Sequence, residues 1–297
     1  MNNKKNHKRE SFSNFSLKAE LIKAIKELGF NQPTPIQQRV IPHLISSNQD
    51  LIASAQTGTG KTAAFGLPLL DSINIRDTNV QAIILCPTRE LCIQITNDLK
   101  TYSKYIKMIN ILAVYGGAKI EKQIKSLKKG PQIVVGTPGR TKDLIRRKKL
   151  IIGNIDRLIL DEADEMLSMG FKDDLETIIN ATSKNRQTLL FSATMTPKVV
   201  EVTKKYMRNS LEISVASANK TADKVQHVFY MVQAKDRYEV VKRIADMNPS
   251  IYGIVFCRTR RETKEVANKL MYDNYNADTI HGELSQAQRD DVMSRFR

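Results

Sequence analysis

The segment AQTGTGKT combines residue types that can bind phosphate. Gly58 and Gly60 permit the unusual dihedrals that bring backbone N–H groups close to an anion at a helix start. Lys61 is expected to reach the β- and γ-phosphates, and the Thr62 hydroxyl to coordinate Mg²⁺. The general phosphate-loop pattern begins with glycine where this chain has Ala55, so a chance glycine-rich turn is the alternative. The predicted nucleotide-binding residues of this loop are Ala55, Gln56, Thr57, Gly58, Thr59, Gly60, Lys61 and Thr62.

A second segment, DEAD at Asp161–Asp164, supplies the carboxylates that nucleotide hydrolysis requires. Asp161 is expected to hold Mg²⁺, and Glu162 to orient and deprotonate the attacking water. An acidic cluster alone is more often a solvated helix start. Paired with the upstream loop, it predicts a nucleotide site whose catalytic residues are Glu162, Lys61 and Asp161.

These residues need strands to position them, and short apolar runs alternate with amphipathic stretches from residue 50 onward. The runs are DLIASA, QAIILC, NILAVYG, QIVVGT, RLILD and TLLFSA. Such alternation predicts an α/β fold with a parallel sheet covered on both faces. Ligands bind outside the carboxyl ends of such strands. The segments QTGTGKT, PTRE, GG, TPGR, DEAD and SAT each follow a run, so one rim of the sheet is expected to hold the chemistry.

The chain is predicted to contain two domains, at 12–216 and 225–297, after a disordered basic tail at 1–11. A small, polar stretch at 217–224 suits a linker. The second domain has three strand candidates, VQHVFYMV, YGIVFC and ADTIHG, alternating with three helical patterns. An average sheet has about five or six strands, so this lobe is expected to be partial.

The composition favours a soluble protein with a polyanionic partner. The formal net charge is +16 with a pI near 9.7, which favours nucleic acid over an anionic membrane, although ribosome-associated and merely soluble proteins can also be basic. No stretch approaches the roughly 18 apolar residues of a membrane span. The cysteines, Cys86, Cys92 and Cys257, form no CxxC pair and suggest free thiols in a reducing compartment. We expect a cytoplasmic protein.

Further segments upstream complete a pattern: Phe12, Gly29-Phe30 and PTPIQ at 33–37. From Phe12 to Arg297 the chain resembles the DEAD-box family of ATP-dependent RNA helicases. The resemblance implies a complete RecA-like P-loop lobe followed by a partial second one, with ATP and Mg²⁺ in the cleft and RNA across both. It also implies that Gln37 reads adenine, that Phe30 packs on the base, and that alanine is normal at position 55.

The resemblance also assigns RNA contacts, expected to follow the backbone with little sequence specificity. Small residues, hydroxyls and arginines suit contacts to phosphate and the 2′-OH. Taken singly, each segment is more often an ordinary turn. In the first lobe the residues are Pro87, Thr88, Arg89, Gly116, Gly117, Thr137, Gly139 and Arg140. In the second lobe they are Arg258, Thr259, Gly282, Gln286 and Arg289.

Ser192 and Thr194 resemble the family segment that couples ATP to RNA through hydroxyl bonds to the DEAD carboxylates, with Asp164 the expected acceptor. Otherwise such a pair commonly caps a helix. The basic run Arg146–Lys149 is expected to be a solvated face, with RNA contact as the alternative.

Two family segments are absent from these 297 residues: one that joins the ATP and RNA sites, and HRxGRxGR, which supplies arginine fingers. We therefore expect a fragment, an incomplete gene record or a truncated form, which binds ATP but turns it over weakly. A DNA helicase and a non-catalytic ATP- and RNA-binding fragment are the alternatives. The physiological RNA, protein partners and oligomeric state leave no mark in the sequence.

Overall fold

A computed structural model describes residues 11–56, 58–215 and 226–296. The chain divides into two compact units, Met1–Asn219 and Lys220–Arg297. The predicted tail, apart from Ser11, and the predicted linker at 217–224 lie outside the described residues.

Strands and helices alternate along the first unit, as the apolar runs predicted. The strands are β1 Leu51–Ser54, β2 Ala82–Leu85, β3 Ile111–Val114, β4 Ile133–Gly136, β5 Arg157–Leu160, β6 Gln187–Ser192 and β7 Leu211–Ser214. The helices are α1 Ala19–Glu27, α2 Pro35–Ser46, α3 Lys61–Ser72, α4 Arg89–Tyr102, α5 Ile120–Leu127, α6 Pro138–Arg146, α7 Ala163–Ser168, α8 Lys172–Asn180 and α9 Pro197–Tyr206. All six predicted strands are confirmed.

The strands form a single parallel sheet of seven in the order β3-β4-β2-β5-β6-β1-β7. Apolar side chains on one face pack against α1–α4, and those on the other pack against α5–α9. Strands covered on both faces read as continuous apolar runs, because neither face meets water. The predicted α/β class with a parallel sheet is confirmed.

The edge strand β7 was not predicted as a strand. Its sequence, LEIS, buries only Ile213 and exposes its other residues, so it reads as the end of an apolar run before a polar stretch. It pairs in parallel with β1, and Leu211 N donates to Asp50 O at 2.8 Å.

Buried Arg157 links β5 to the two helices, α2 and α3, that carry residues of the predicted nucleotide site. On β5, its guanidinium donates to Pro68 O in α3 at 3.1 Å and to Leu44 O in α2 at 3.4 Å. Burial lowers its pKa. Because a desolvated cation is costly unless its donors are satisfied, these bonds fix α2 and α3 against the strand that ends in DEAD.

The strand order separates motifs that are interleaved along the chain. The adjacent strands β3, β4 and β2 end in GG, TPGR and PTRE, while the adjacent strands β5, β6 and β1 end in DEAD, SAT and the glycine loop. One half of the rim thus holds the predicted RNA residues and the other half the predicted nucleotide residues.

The second unit contains the three predicted helices, α10 Arg237–Asp246, α11 Arg260–Tyr272 and α12 Gln286–Phe296. Between residues 226 and 296 the structure assigns no strand, so the three strand predictions there are not confirmed. A strand exists only through ladder bonds to a neighbour, and here apolar side chains such as Phe229, Met231 and Phe256 lie exposed. Tyr252 instead stacks on Phe296, with ring centroids 4.4 Å apart.

Within the described ranges, no helix is both long and apolar enough to cross a bilayer.

Candidate nucleotide and RNA sites

The glycine loop turns tightly between β1 and α3. Gly58 and Gly60 have φ of +76° and +88°, the left-handed region that glycine enters without a steric penalty. A Cβ at Gly60 would clash with Gln37 Nε2 and displace its amide, so this position favours glycine. The Ala55 N–H donates to Ser192 O at 3.1 Å, which joins the loop to the end of β6. Thr57 lies outside the described residues.

Lys61 begins α3 and points its ammonium toward the DEAD segment. Its side chain is buried, and Nζ lies 3.9 Å from Asp161 Oδ1. Within the described residues, Nζ makes no hydrogen bond. A buried ammonium without acceptors is costly, whereas phosphate oxygens would satisfy it. The loop geometry therefore fits an anionic ligand.

Asp161 lies at the buried end of β5. Desolvation raises the pKa of its carboxyl from 3.8 to about 6, although nearby Lys61 opposes the shift. Burial favours the neutral acid, and a cation placed beside the carboxylate would reverse that preference. Asp161 is thus suited to a divalent cation.

Glu162 has a left-handed backbone, with φ 52° and ψ 51°, at the N-terminal cap of α7. Such a conformation costs a non-glycine residue about 1 kcal/mol or more and clusters at functional sites. Its N–H donates to Asp161 Oδ1 at 3.0 Å. Burial raises the pKa of the Glu162 carboxyl. A carboxylate with a raised pKa is a stronger base, so Glu162 is better suited to accept a proton.

The hydrogen bond that we expected between SAT and DEAD is present. Thr194 donates to Asp164 Oδ2 from its hydroxyl at 2.7 Å and from its amide at 2.8 Å. Ser192 differs, because its hydroxyl donates to Thr194 O at 2.7 Å. Burial raises the pKa of Asp164, but the hydrogen bonds from Thr194 outweigh this effect and hold the pKa below its usual value. The coupling role of this link stays a prediction.

The amide of Gln37 is buried against the glycine loop. Its Oε1 accepts from Thr34 N at 2.9 Å, and its Nε2 donates to Gly60 O at 3.0 Å. Gln37 thus positions the loop, and adenine recognition stays a prediction. Phe30 packs in an aromatic cluster, with its ring centroid 6.1 Å from those of Phe12 and Tyr102. Its packing on the adenine base stays a prediction.

The predicted Mg²⁺ ligands, Thr62 and Asp161, are both oxygen donors near Lys61. Among the described residues, no group of three or more His, Cys, Asp or Glu side chains could hold a metal. Two protein oxygens suit Mg²⁺ nevertheless, because this ion keeps several waters and takes further ligands from substrate phosphates.

Three predicted RNA segments of the first unit form one cluster. Arg89 lies over the ring of Tyr115, 4.8 Å from its centroid, and a Cβ at Gly117 would lie 3.7 Å from Arg89 Nη1. Both Nη atoms of Arg140 donate to Ala118 O at 3.1 Å, next to Gly117. The two arginines therefore both lie beside the GG loop.

Helix starts complete this cluster. Thr88 caps α4 by accepting from Leu91 N at 3.2 Å, and Thr137 precedes α6, with its N–H donating to Val114 O at 3.0 Å. Pro87 is buried beside Thr88, whereas Gly139 and Gly116 are exposed. Backbone N–H groups at two helix starts and a glycine turn suit phosphate contacts.

Tyr115 and Gln123 were not predicted as site residues from the sequence. Tyr115 is the platform for Arg89, and buried Gln123 donates to Tyr115 O at 3.0 Å. The position of Tyr115, an aromatic residue between β3 and GG, could have indicated its role. No sequence pattern indicated the role of Gln123, because that role depends on the packing of α5.

The predicted RNA residues of the second unit lie around α11 and α12. Thr259 caps α11 by accepting from Glu262 N at 3.1 Å, and Arg258 pairs with Glu262 at 3.5 Å. A Cβ at Gly282 would lie 3.9 Å from Arg260 Cδ. Gln286 Nε2 donates to Asp290 at 2.8 Å, and half-buried Arg289 follows in α12. These contacts organise helix starts and leave RNA binding a prediction.

Comparison with known proteins gives consistent matches. Residues 34–203 match the family described as DEAD/DEAH box helicase, and residues 236–297 match the helicase conserved C-terminal domain. The ATP-dependent RNA helicase CshA of Listeria monocytogenes is 46% identical over 96% of this chain and 55% of its own length. The Bacillus subtilis DEAD-box ATP-dependent RNA helicase CshA is 42% identical over 97% of this chain and 58% of its own length. The chain thus spans about half the length of these curated relatives.

Two solved structures are also similar. A DEAD box protein from the hyperthermophile Methanococcus jannaschii has a TM-score of 0.67 and 42% identity, covering 96% of this chain and 77% of that one. A variant of S. cerevisiae Dbp5 bound to RNA and ADP BeF3 has a TM-score of 0.85 and 30% identity, covering 96% of this chain and 73% of that one.

Proposed function

We propose that this chain, which belongs to the DEAD/DEAH box helicase family, is the motor region of an ATP-dependent RNA helicase. It binds ATP at the ends of β1, β5 and β6 and RNA at the ends of β2, β3 and β4, and it couples RNA-stimulated hydrolysis to local duplex unwinding or remodelling. The main support is the sheet order, which separates the two sets of residues on one rim. The names of the CshA relatives and the RNA-bound Dbp5 structure support the same function.

On the nucleotide side, Lys61 binds the β- and γ-phosphates, and Glu162 orients the attacking water and accepts its proton. Thr62 and Asp161 would hold Mg²⁺, which supplies charge neutralisation on the phosphates when bound. Thr194 holds Asp164 in place and so links β6 to the carboxylate segment. The hydrogen bonds of Gln37 to Thr34 and Gly60 support a role in setting the loop beside the base.

On the RNA side, the Arg89 and Arg140 guanidiniums and the helix starts at Thr88 and Thr137 contact phosphates and 2′-OH groups. Such contacts follow the backbone, so we propose binding with little sequence preference. The second unit adds contacts through Arg258, Thr259, Gly282, Gln286 and Arg289.

A cytoplasmic location belongs to the same proposal. It is supported by the free thiols of Cys86, Cys92 and Cys257, since a reducing compartment keeps thiols unpaired.

Phosphate release from ATP, measured with RNA, with DNA of the same sequence and without nucleic acid, tests the proposal. We expect weak release that RNA stimulates slightly, that DNA does not reproduce and that Glu162→Gln abolishes. Equal stimulation by DNA would favour a DNA helicase. ATP and RNA binding with no release above the Glu162→Gln variant would favour a non-catalytic binding fragment.

A further inference from the structure

Much of the chain's positive charge lies in one stretch of the first unit. Residues 119–149 contain eleven Lys and Arg against two Asp and Glu, a net +9 out of +16 for the whole chain. Three of the cations have protein partners: Arg140 bonds Ala118 O, Lys142 pairs with Asp174, and Arg147 pairs with Asp143.

The remaining eight cations are all exposed, and among the described residues no ion pair is found for any of them. We call this set the α5–α6 basic surface. It consists of Lys119, Lys122, Lys125, Lys128, Lys129, Arg146, Lys148 and Lys149.

Helix α5 and the end of α6 present this surface from one side of the sheet. Ile120, Ile124 and Leu127 of α5 pack on the same apolar core as Leu144 and Ile145 of α6. Because apolar side chains at this spacing line one helix face, the lysines between them point outward.

The end of α6 lies near α5. The hydrogen bond to Asp143 raises the pKa of Arg147, which directly follows α6, and the charge of Glu121 on α5 raises it slightly further. The basic run itself is ordered by backbone bonds, from Lys148 N to Ile145 O at 2.8 Å and from Lys149 N to Leu144 O at 2.9 Å.

Helix capping does not account for this charge. Cations near a helix C-terminus gain about 0.3–1 kcal/mol from the macrodipole, which explains residues in the last turn of α6. It does not explain Lys119 and Lys122, near the start of α5, where positive charge is disfavoured. Like charges held together repel, so an anionic partner would stabilise the surface.

The surface is continuous with the predicted RNA cluster. Gly116 and Gly117 lie shortly before α5. Arg140, in the first turn of α6, donates to the carbonyl of Ala118, which follows Gly117. Lysine-rich surfaces suit phosphates, whereas protein interfaces are depleted in lysine. These observations favour RNA over an acidic protein.

We propose that the α5–α6 basic surface binds the phosphate backbone of RNA that extends beyond the strand-end cluster. The inference rests on the proposed RNA helicase function and lengthens its RNA footprint. Contacts are electrostatic and independent of sequence, so they matter for long RNA and not for RNA that fills only the strand-end cluster.

The test compares a surface variant, with Lys125, Lys129, Arg146 and Lys149 each replaced by Gln, with a control in which four exposed lysines elsewhere, Lys26, Lys100, Lys107 and Lys184, are replaced by Gln. Both variants lose the same charge. RNA affinity is measured over a salt series with two probes of mixed sequence. One is a single strand of about ten nucleotides, and the other is the same strand followed by a duplex of about sixteen base pairs.

We expect the surface variant to bind the long probe with a slope of log K against log salt shallower by about three, since each lost phosphate contact removes roughly 0.7–0.9. The control should match the parent on both probes, and all three proteins should bind the short probe alike. If the surface variant keeps the parent's slope on the long probe while the short probe binds normally, this inference alone is overturned. That result would favour an acidic protein as the partner of the surface. A parent chain that binds neither probe would overturn the proposed function as well.

Discussion

Replacing Asp161 by Asn should change how the stability of the chain depends on pH. Asp161 is almost fully buried, and its pKa in the folded state is raised from 3.8 to about 6. The folded state therefore binds a proton more tightly than the unfolded state does. A carboxyl shifted in this direction contributes stability that is fully present below pH 3.8 and is lost as the pH rises through about 6.

The size of the effect follows from the shift. Each pKa unit corresponds to 1.36 kcal/mol, so ionising Asp161 in the folded protein without a ligand costs about 3 kcal/mol in all. Roughly half of this loss, about 1.4 kcal/mol, falls between about pH 5 and pH 7.5. The parent should lose that amount relative to Asp161→Asn, which carries no titrating group at this position.

Urea denaturation at the two pH values measures the difference. The chain has no tryptophan, so far-UV circular dichroism is the appropriate signal. Glu212→Gln, which removes an exposed carboxylate on β7, is the control and should retain the parent's pH dependence. If Asp161→Asn also retains it, then the folded-state pKa of Asp161 is not raised and the desolvation argument is wrong.

Two further substitutions test contacts within the nucleotide half of the rim. Thr194→Val removes the hydroxyl bond to Asp164 and leaves the amide bond, so we expect a loss of about 1 kcal/mol in unfolding free energy and weaker RNA stimulation of phosphate release. Unchanged RNA stimulation in Thr194→Val would show that the hydroxyl bond to Asp164 does not couple the ATP and RNA sites. Gln37→Ala should narrow the preference for ATP over GTP in competition binding, and Gln37→Glu, which keeps the acceptor for Thr34 but loses the donor to Gly60, should loosen the loop for both nucleotides. An unaltered preference in Gln37→Ala would remove the adenine-reading role.

The fold of the first unit was predictable because its interior strands are buried on both faces. All four residues of β2, AIIL, are buried, so the strand appears in the sequence as an apolar run. Strand β7 buries only Ile213 and depends on its pairing with β1, which local sequence does not specify. Local sequence likewise does not specify pairing in the second unit, where apolar stretches predicted strands that the structure does not assign.

The site residues were predictable as types but not as neighbours. Glycines, Lys61 and the carboxylates reveal phosphate chemistry through composition and spacing alone. The bond from Gln37 to Gly60 and the two arginines beside the GG loop depend on the order of the strands in the sheet, which the order along the chain does not specify. The division of the rim into two halves is therefore a result that only the structure gives.

The most direct test of the proposed nucleotide site is equilibrium binding of ATP with Mg²⁺ to the parent chain and to Lys61→Ala. Nζ of Lys61 is buried, near Asp161 and without a hydrogen bond among the described residues, so a phosphate is its expected partner. Hydrogen bonds to charged groups contribute about 1.5–3 kcal/mol, so we expect an ATP affinity roughly tenfold to a hundredfold lower in Lys61→Ala, with unchanged RNA affinity. Equal ATP affinity in the two proteins would contradict the assignment of the nucleotide site.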